Sequence, residues 1–348
     1  LTIAFAQFFC TVADLAADRQ TAGLDETRMY QAVRDASDFV QKEIGWFIPV
    51  TQTLSFHGHG SRRLFVPPIL DVLSIVNYAN TSGPITLDTI DYLLKPEGSF
   101  WNHGPYAEIL VDPFTRKLQN WCDIQNGVQI AGLWGKYLRS GDTGATVQDA
   151  AGQLSNQLTL LVSNGGKVSP GMVLLVESEQ ESVTGWGTPT TAVTALNGAI
   201  TASDEILTVD DGTLVNIGET IRIDFEQMRI KDIRANQFAV IRSWNGTGKT
   251  AHLDNAPLDV YRTVTVERGM NGTTAAAHAK NTALSRYFVP DDILYLTKEI
   301  ATLSANKALS GYQGRTGSQE TGVVFYNDAF PQFDIDKIKK NYNIPRAR

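Results

Sequence analysis

Leu160-Leu161-Val162-Ser163-Asn164-Gly165 is answered, at a constant step of 47 residues (160 to 207), by Leu207-Thr208-Val209-Asp210-Asp211-Gly212. The same step carries Val168 to Val215, Gly171 to Gly218 and Glu179-Gln180 to Glu226-Gln227. Each copy reads as a Leu/Val strand, a polar turn, then glycine and a second strand of alternating apolar residues. A step held without gaps implies two related β-modules in tandem, packed as one body. Around them, from Gly141 to about Ser285, Thr, Val, Gly and Asn dominate and no helical period appears. That texture predicts an all-β insertion domain, barrel or sandwich, over residues 141–285.

The flanks read differently. Met29, Val33, Ala36, Val40 and Ile44 recur at helical spacing between Asp25-Glu26, which favour a helix start, and Gly45, which supplies a stop. The small Ala36-Ser37 pair on that helix permits close approach of a neighbour. Short strands are expected at Ile48–Phe56, Arg62–Val66, Val72–Asn77, Ile90–Leu94, Ile109–Val111 and Val128–Leu133, broken at Pro67-Pro68 and Gly83-Pro84. Val289-Pro290-Asp291-Asp292 opens a second helix with Ile293, Leu296, Ile300 and Leu303 on one stripe, and Asp334 to Tyr342 forms a short last one. The expected fold class is therefore α+β. A core of one helix on a small antiparallel sheet (1–140) and a C-terminal helix with tail (286–348) is interrupted by the β-insertion. Each flank is too small for a secure core alone, so the two should fold together.

Composition sets limits. Thirty Lys and Arg against 37 Asp and Glu give a net charge of −7, so no global basic field advertises nucleic acid. Cys10 and Cys122 are the only cysteines, too few for a disulfide framework or a zinc cluster. The apolar opening Leu1–Cys10 is too short to cross a bilayer and lacks a signal peptide's basic flank, so a soluble protein without membrane contact is expected. Position 1 is leucine, which leaves room for residues upstream.

The apparent chemical motifs weigh little. Asn245-Gly-Thr-Gly-Lys-Thr250 looks like a phosphate-binding loop, but position 243 is serine where that motif needs glycine, and a β-pattern follows instead of a helix. His57-Gly58-His59 places two imidazoles together, yet no third ligand stands nearby in sequence, and solvent-facing turn residues are the favoured reading. In Arg268-Gly269-Met270-Asn271-Gly272 the Asn-Gly step signals a tight turn. Arg268 is expected to clamp a carboxylate such as Glu226 across neighbouring strands, with a sugar- or partner-binding loop as the alternative. No catalytic, cofactor-binding or metal-binding residue is assigned.

Cys10-Thr-Val-Ala-Asp-Leu15, the helix with its Ala36-Ser37 pair, and Gly45-Trp46-Phe47-Ile48-Pro49 form an ordered series. It continues through Arg63-Leu-Phe-Val-Pro-Pro68, Val72-Leu-Ser-Ile75, Asp91-Tyr-Leu-Leu-Lys-Pro96, Gly132-Leu-Trp-Gly135 and Val289-Pro-Asp-Asp-Ile293. This series resembles the head–tail connector (adaptor or head-completion) proteins of tailed bacteriophages, over about residues 10–139 and 286–345. Trp46 stands where relatives often carry arginine. The resemblance implies a structural virion protein of the neck, with no enzymatic activity, assembled in the bacterial cytoplasm. It would form a ring, dodecameric by family likeness, under the portal protein and above tail or neck proteins, with DNA passing through without sequence-specific contact. Docking on the portal falls to a tail expected to be mobile, through Lys337, Lys339, Lys340, Tyr342, Arg346 and Arg348. The alternative is a β-rich tail or fibre component that binds a carbohydrate or another virion protein.

Overall fold

The computed structural model describes residues 4–17, 24–79, 83–96, 104–309, 315–316, 325–326 and 332–342. In chain order α1 (Val12–Ala16) and α2 (Glu26–Ile44) precede β1 (Val50–Phe56), β2 (Arg63–Ala79), β3 (Gly83–Leu87), β4 (Tyr92–Lys95), β5 (Tyr106–Val111) and β6 (Val128–Trp134). Then follow β7 (Ser140–Thr146), β8 (Thr159–Leu161), β9 (Val173–Val176) and β10 (Glu179–Trp186). Next come β11 (Thr190–Ala195), β12 (Ile206–Thr208), β13 (Thr220–Ile223), β14 (Glu226–Arg234), β15 (Gln237–Ile241) and β16 (Pro257–Val260). The chain continues through β17 (Thr263–Glu267), β18 (Ala283–Tyr287), α3 (Asp291–Leu309), β19 (Arg315–Thr316), β20 (Phe325–Tyr326) and α4 (Gln332–Asn341).

The expected fold class is corrected. Three six-stranded antiparallel sheets dominate, and only about a fifth of the chain is helical, so the flanks are not a helix on a small sheet. The first sheet, ordered β1-β6-β2-β5-β4 with β3 on β2, is as large as either of the others. It grew beyond expectation because β2 runs unbroken through Pro67-Pro68. Between Phe65 and Ile69 its register shifts, and it passes from pairing β5 to pairing β6. Prolines lack the N–H that a ladder demands, and an irregular crossing point is where a strand tolerates them. Val128, Ile130 and Trp134 alternate inward on β6 and build this sheet's core with Ile69, Ile109 and Trp121.

The β-modules are nested, not tandem. The second module (β11–β16) sits between β10 and β17 of the first. The two sheets, β7-β18-β9-β10-β17-β8 and β11-β16-β13-β14-β15-β12, have the same strand order position by position. Where β14 and β15 of the inner module join by the short turn Arg234-Ala235-Asn236-Gln237, the outer module has opened the matching turn and holds a whole second copy there. Isolated bridges, Val147 to Val162 and Leu196 to Val209, tie the first strand of each sheet to its last, so both modules are closed barrels. Closure leaves no free edge. Each barrel has its own apolar core, Leu160, Val176 and Val264 among others in the outer and Leu207, Ile221 and Phe238 in the inner.

α2 begins where the Asp25 carboxylate accepts the Arg28 N–H (2.9 Å) and stops at Gly45, whose φ of 123° suits glycine. At its small pair the Ser37 Oγ accepts the Phe9 N–H (3.1 Å), so the segment 4–10 lies directly on the helix. α2 packs on α3, and Ile335 and Ile338 of α4 are buried in the same cluster. Val173 and Met270 of the outer barrel join that cluster too. Cutting out residues 141–285 would therefore open the helical core, to which no residue of the inner barrel contributes a buried apolar side chain.

Candidate functional site

The repeated residues converge on one device built twice. In the outer barrel the buried Glu179 carboxylate accepts both Nε and Nη2 of Arg268 (2.7 Å each), the N–H groups of Gly269 (3.0 Å) and Ala276 (2.8 Å), and His278 Nε2 (3.0 Å). In the inner barrel Glu226 accepts Arg242 Nε and Nη2 (2.7 Å each), the N–H groups of Ser243 (3.1 Å) and Thr250 (2.9 Å), and His252 Nε2 (3.1 Å). The far nitrogen of each imidazole meets an exposed acid, Glu177 for His278 (2.9 Å) and Asp224 for His252 (2.7 Å). The rest of each guanidinium binds carbonyls, Leu154, Gln157 and Ala276 for Arg268, and Thr201, Asp204 and Thr250 for Arg242. Each clamp thus fixes two loops to the barrel end.

The expected partner of Arg268 is corrected. Arg268 pairs with Glu179 of its own barrel, and Glu226 pairs with Arg242. The 47-residue step does not reach the inner counterpart of Arg268, Arg242. Beyond the nesting point the step becomes 26 residues in the opposite sense. Arg242-Ser-Trp-Asn-Gly-Thr247 then matches Arg268-Gly-Met-Asn-Gly-Thr273, and His252 matches His278. The signal was the doubled Arg-x-x-Asn-Gly-Thr with a histidine ten residues after each arginine.

Electrostatics separates the copies. Burial alone would raise the Glu226 carboxyl, but hydrogen bonds from Arg242, the Thr250 N–H, His252 and the Ser243 N–H outweigh it and hold it at about 2. Glu179 is lowered by the same set of donors against the same burial. The outer barrel adds a second buried acid, Glu181, where the inner has Met228. Burial pushes Glu181 up, opposed by Gln153 and by Arg268, whose Nε lies 3.1 Å from its Oε1. Glu179, Glu181 and His278 are close enough to suggest a metal cluster, but Arg268 already fills the space between them.

The Asn-Gly turns face inward. Asn271, left-handed at φ 53°, accepts the Ala6 N–H (2.9 Å) and donates to the Ala6 carbonyl and to Gln180 Oε1 (2.8 Å each). Gln180 in turn donates to the Pro49 carbonyl (2.9 Å). A Cβ on Gly272 would lie 1.8 Å from the Thr51 carbonyl, so the turn is pressed against β1 and only glycine fits. Asn245, at φ 56°, accepts the Glu26 N–H at the start of α2 (2.5 Å) and donates to Gln227 Oε1 (3.2 Å). Both loops are therefore spent on the chain's own core. The phosphate-loop look-alike is this inner turn. A further buried carboxylate, Glu219, joins the barrels by accepting Arg262 from the connection into β17 and the Gly165 N–H (3.0 Å) of the outer module.

Beside the inner turn lies a cleft of ≈ 410 Å³ lined by Glu26, Tyr30, Trp186, Gln227, Asn245 and Tyr261. Trp186 Nε1 donates to Glu26 (2.5 Å), and burial raises the Glu26 carboxyl to about 7 against the pull of Trp186 and Arg229.

The tail residues are placed less freely than expected. Tyr342 donates to Asp292 (2.7 Å), accepts Lys136 on its carbonyl (3.2 Å) and stacks edge-on against Phe47, while Lys339 pairs with Glu43. Gln332–Tyr342 is thus packed on the helices, not a free tail; Lys337 and Lys340 point to solvent. Arg346, Arg348 and most of 311–331 lie outside the described residues. His57 and His59 do face each other at a turn, but Asp123 is brought beside them from the loop before β6. Both cysteines are free thiols. No helix among the described residues is long and apolar enough to cross a membrane. No protein family, curated protein or solved structure matches this chain.

Proposed function

We propose that the chain is a structural subunit of a tailed-phage virion, an adaptor that assembles as a ring beneath the portal and leaves a channel for DNA. The observation that carries this reading is the inward use of both repeated turns. Loops on rigid β-scaffolds usually serve binding, yet these two hold Ala6 and Glu26 of the same chain. Buried charge is invested in fixing the barrels as one rigid block, which is what a load-transmitting ring subunit needs. The ordered connector-like motifs support it: they line the turn from α2 into β1, the length of β2, β4, the end of β6 and the start of α3.

Large apolar side chains stand in solvent on the barrels and first sheet, among them Phe225, Leu253, Phe114 and Ile90. Contiguous apolar surface marks protein contacts, and of these Phe225 and Leu253 stand together, next in sequence to the paired Asp224 and His252. A ring needs one flank of a subunit to meet the opposite flank of the next, and tail or neck proteins require a further face. The net charge of −7 suits a lumen that does not grip phosphates. On the portal side Lys337 and Lys340 are the accessible candidates. Charge reversal at both should weaken portal association, and an unchanged affinity would remove them from the interface.

A second reading has one observation behind it. The aromatic and amide lining of the Trp186–Tyr261 cleft is chemistry that a sugar ring can use. Negative-stain microscopy of the chain mixed with its portal, beside a glycan array, separates the two. Rings stacked coaxially on the portal are expected. Glycan binding lost in Trp186→Ala, with no ring on the portal, would replace the adaptor reading with the fibre one.

A further inference from the structure

We propose that His57, His59 and Asp123 form a binding site for a divalent transition-metal ion such as Zn²⁺, a clip between the turn after β1 and the loop before β6. One donor atom of each residue lies within 4.8 Å of the other two. The imidazoles converge: their Nδ1 atoms are 2.7 Å apart and their ring centres 4.0 Å. Asp123 Oδ1 stands 3.6 Å from His57 Nε2, the nitrogen turned away from His59, so the carboxylate joins an ion held between the Nδ1 atoms once its side chain turns toward them.

The backbone imposes this arrangement. His59 is left-handed at φ 55°, a conformation that costs a non-glycine residue energy. A Cβ at buried Gly58 would lie 2.4 Å from Trp121 Cβ and 2.5 Å from the Cys122 carbonyl, so the turn sits flush on the segment that leads to Asp123. The Trp121 N–H donates to the Ser61 carbonyl (2.8 Å), and Ser61 N–H to that of Gly58 (3.1 Å), fixing both loops. Two ring nitrogens facing each other need a proton or a cation between them. A tetrahedral Zn²⁺ at about 2.0–2.1 Å from each nitrogen separates them by about 3.4 Å. The exposed His59 ring reaches that by a small rotation. Two imidazoles and one carboxylate are ligands that zinc, nickel and copper accept, and three protein donors leave a position for water. The other His–carboxylate groups of the described chain do not compete, because arginines fill them.

The test is titration of the full chain with Zn²⁺ by calorimetry, with Co²⁺ absorption as a second readout. One ion per chain is expected, with visible d–d bands and no thiolate charge-transfer band, and a higher melting temperature. His59→Ala, an exposed substitution, should weaken binding at least about tenfold, and Asp123→Asn should weaken it too. Binding that survives His59→Ala unchanged, a thiolate band assigning the ion to Cys122, or no saturable binding would overturn the site.

Discussion

The two barrels share strand order, clamp and turn, and they differ where each meets its surroundings. The outer barrel carries Glu181 beside its clamp, uses three side-chain bonds of Asn271 inside the protein, and ends its β9–β10 turn in Ser178 with Ala279 beside it. The inner barrel has Met228, a lighter hold by Asn245, and exposes Phe225 and Leu253 (94% and 80%) at the matching positions. Duplication therefore kept what folds a barrel and changed what each barrel turns outward. One copy became the attachment to the core; its nested twin presents an apolar tip.

The largest effects should come from breaking the clamps. Arg242→Met strands one buried carboxylate and should cost about 3–5 kcal/mol, with faster amide exchange confined to residues 190–260. Arg268→Met strands both Glu179 and Glu181, so urea unfolding should show a greater loss than for Arg242→Met. Equal losses would mean that Glu181 takes no part in the outer clamp.

The turns come next. Asn271→Ala removes buried bonds to Ala6 and Gln180 and should cost about 2–3 kcal/mol, against about 1 kcal/mol for Asn245→Ala. Thermal melts of the two variants rank them directly.

The pH responses have opposite signs. Glu226 is depressed when folded, so its stabilisation is present above the ordinary glutamate value of about 4.3 and fades as pH falls towards 2. Glu181 is raised when folded, so its contribution is complete below that ordinary value and is lost as pH rises through the folded one. Glu181→Gln should therefore stabilise the outer barrel at pH 7 and leave it unchanged near pH 4. A gain that persists in acid would assign the effect to packing.

The smallest stability effect belongs to the tip. Phe225→Ser with Leu253→Ala gives the inner barrel the outer barrel's residues. Stability should stay within about 0.5 kcal/mol, while the contact proposed for this tip weakens.

The duplicated strands, α2 with its cap and stop, and the start of α3 were legible in sequence, because each rests on local periodicity and capping chemistry. Nesting was not: an inserted copy keeps a constant step before the insertion point and inverts it afterwards. For the same reason sequence spacing does not reveal that the partner of Arg268 is Glu179 of its own copy and not Glu226. The large first sheet was hidden by Pro67-Pro68, which reads as a break and is a register shift in one long strand. Asp123 could not be joined to His57 and His59 by reading, since 63 residues (60 to 122) separate His59 from it. The tail's lysines were visible as charge, but the packing of Tyr342 on Asp292 and Phe47 is tertiary.

The adaptor reading is tested most directly by mass photometry of the full chain mixed with its portal. A single discrete complex is expected, its mass that of the portal plus one closed ring of this chain. Free portal and free chain alone, at concentrations where the chain is folded, would contradict it.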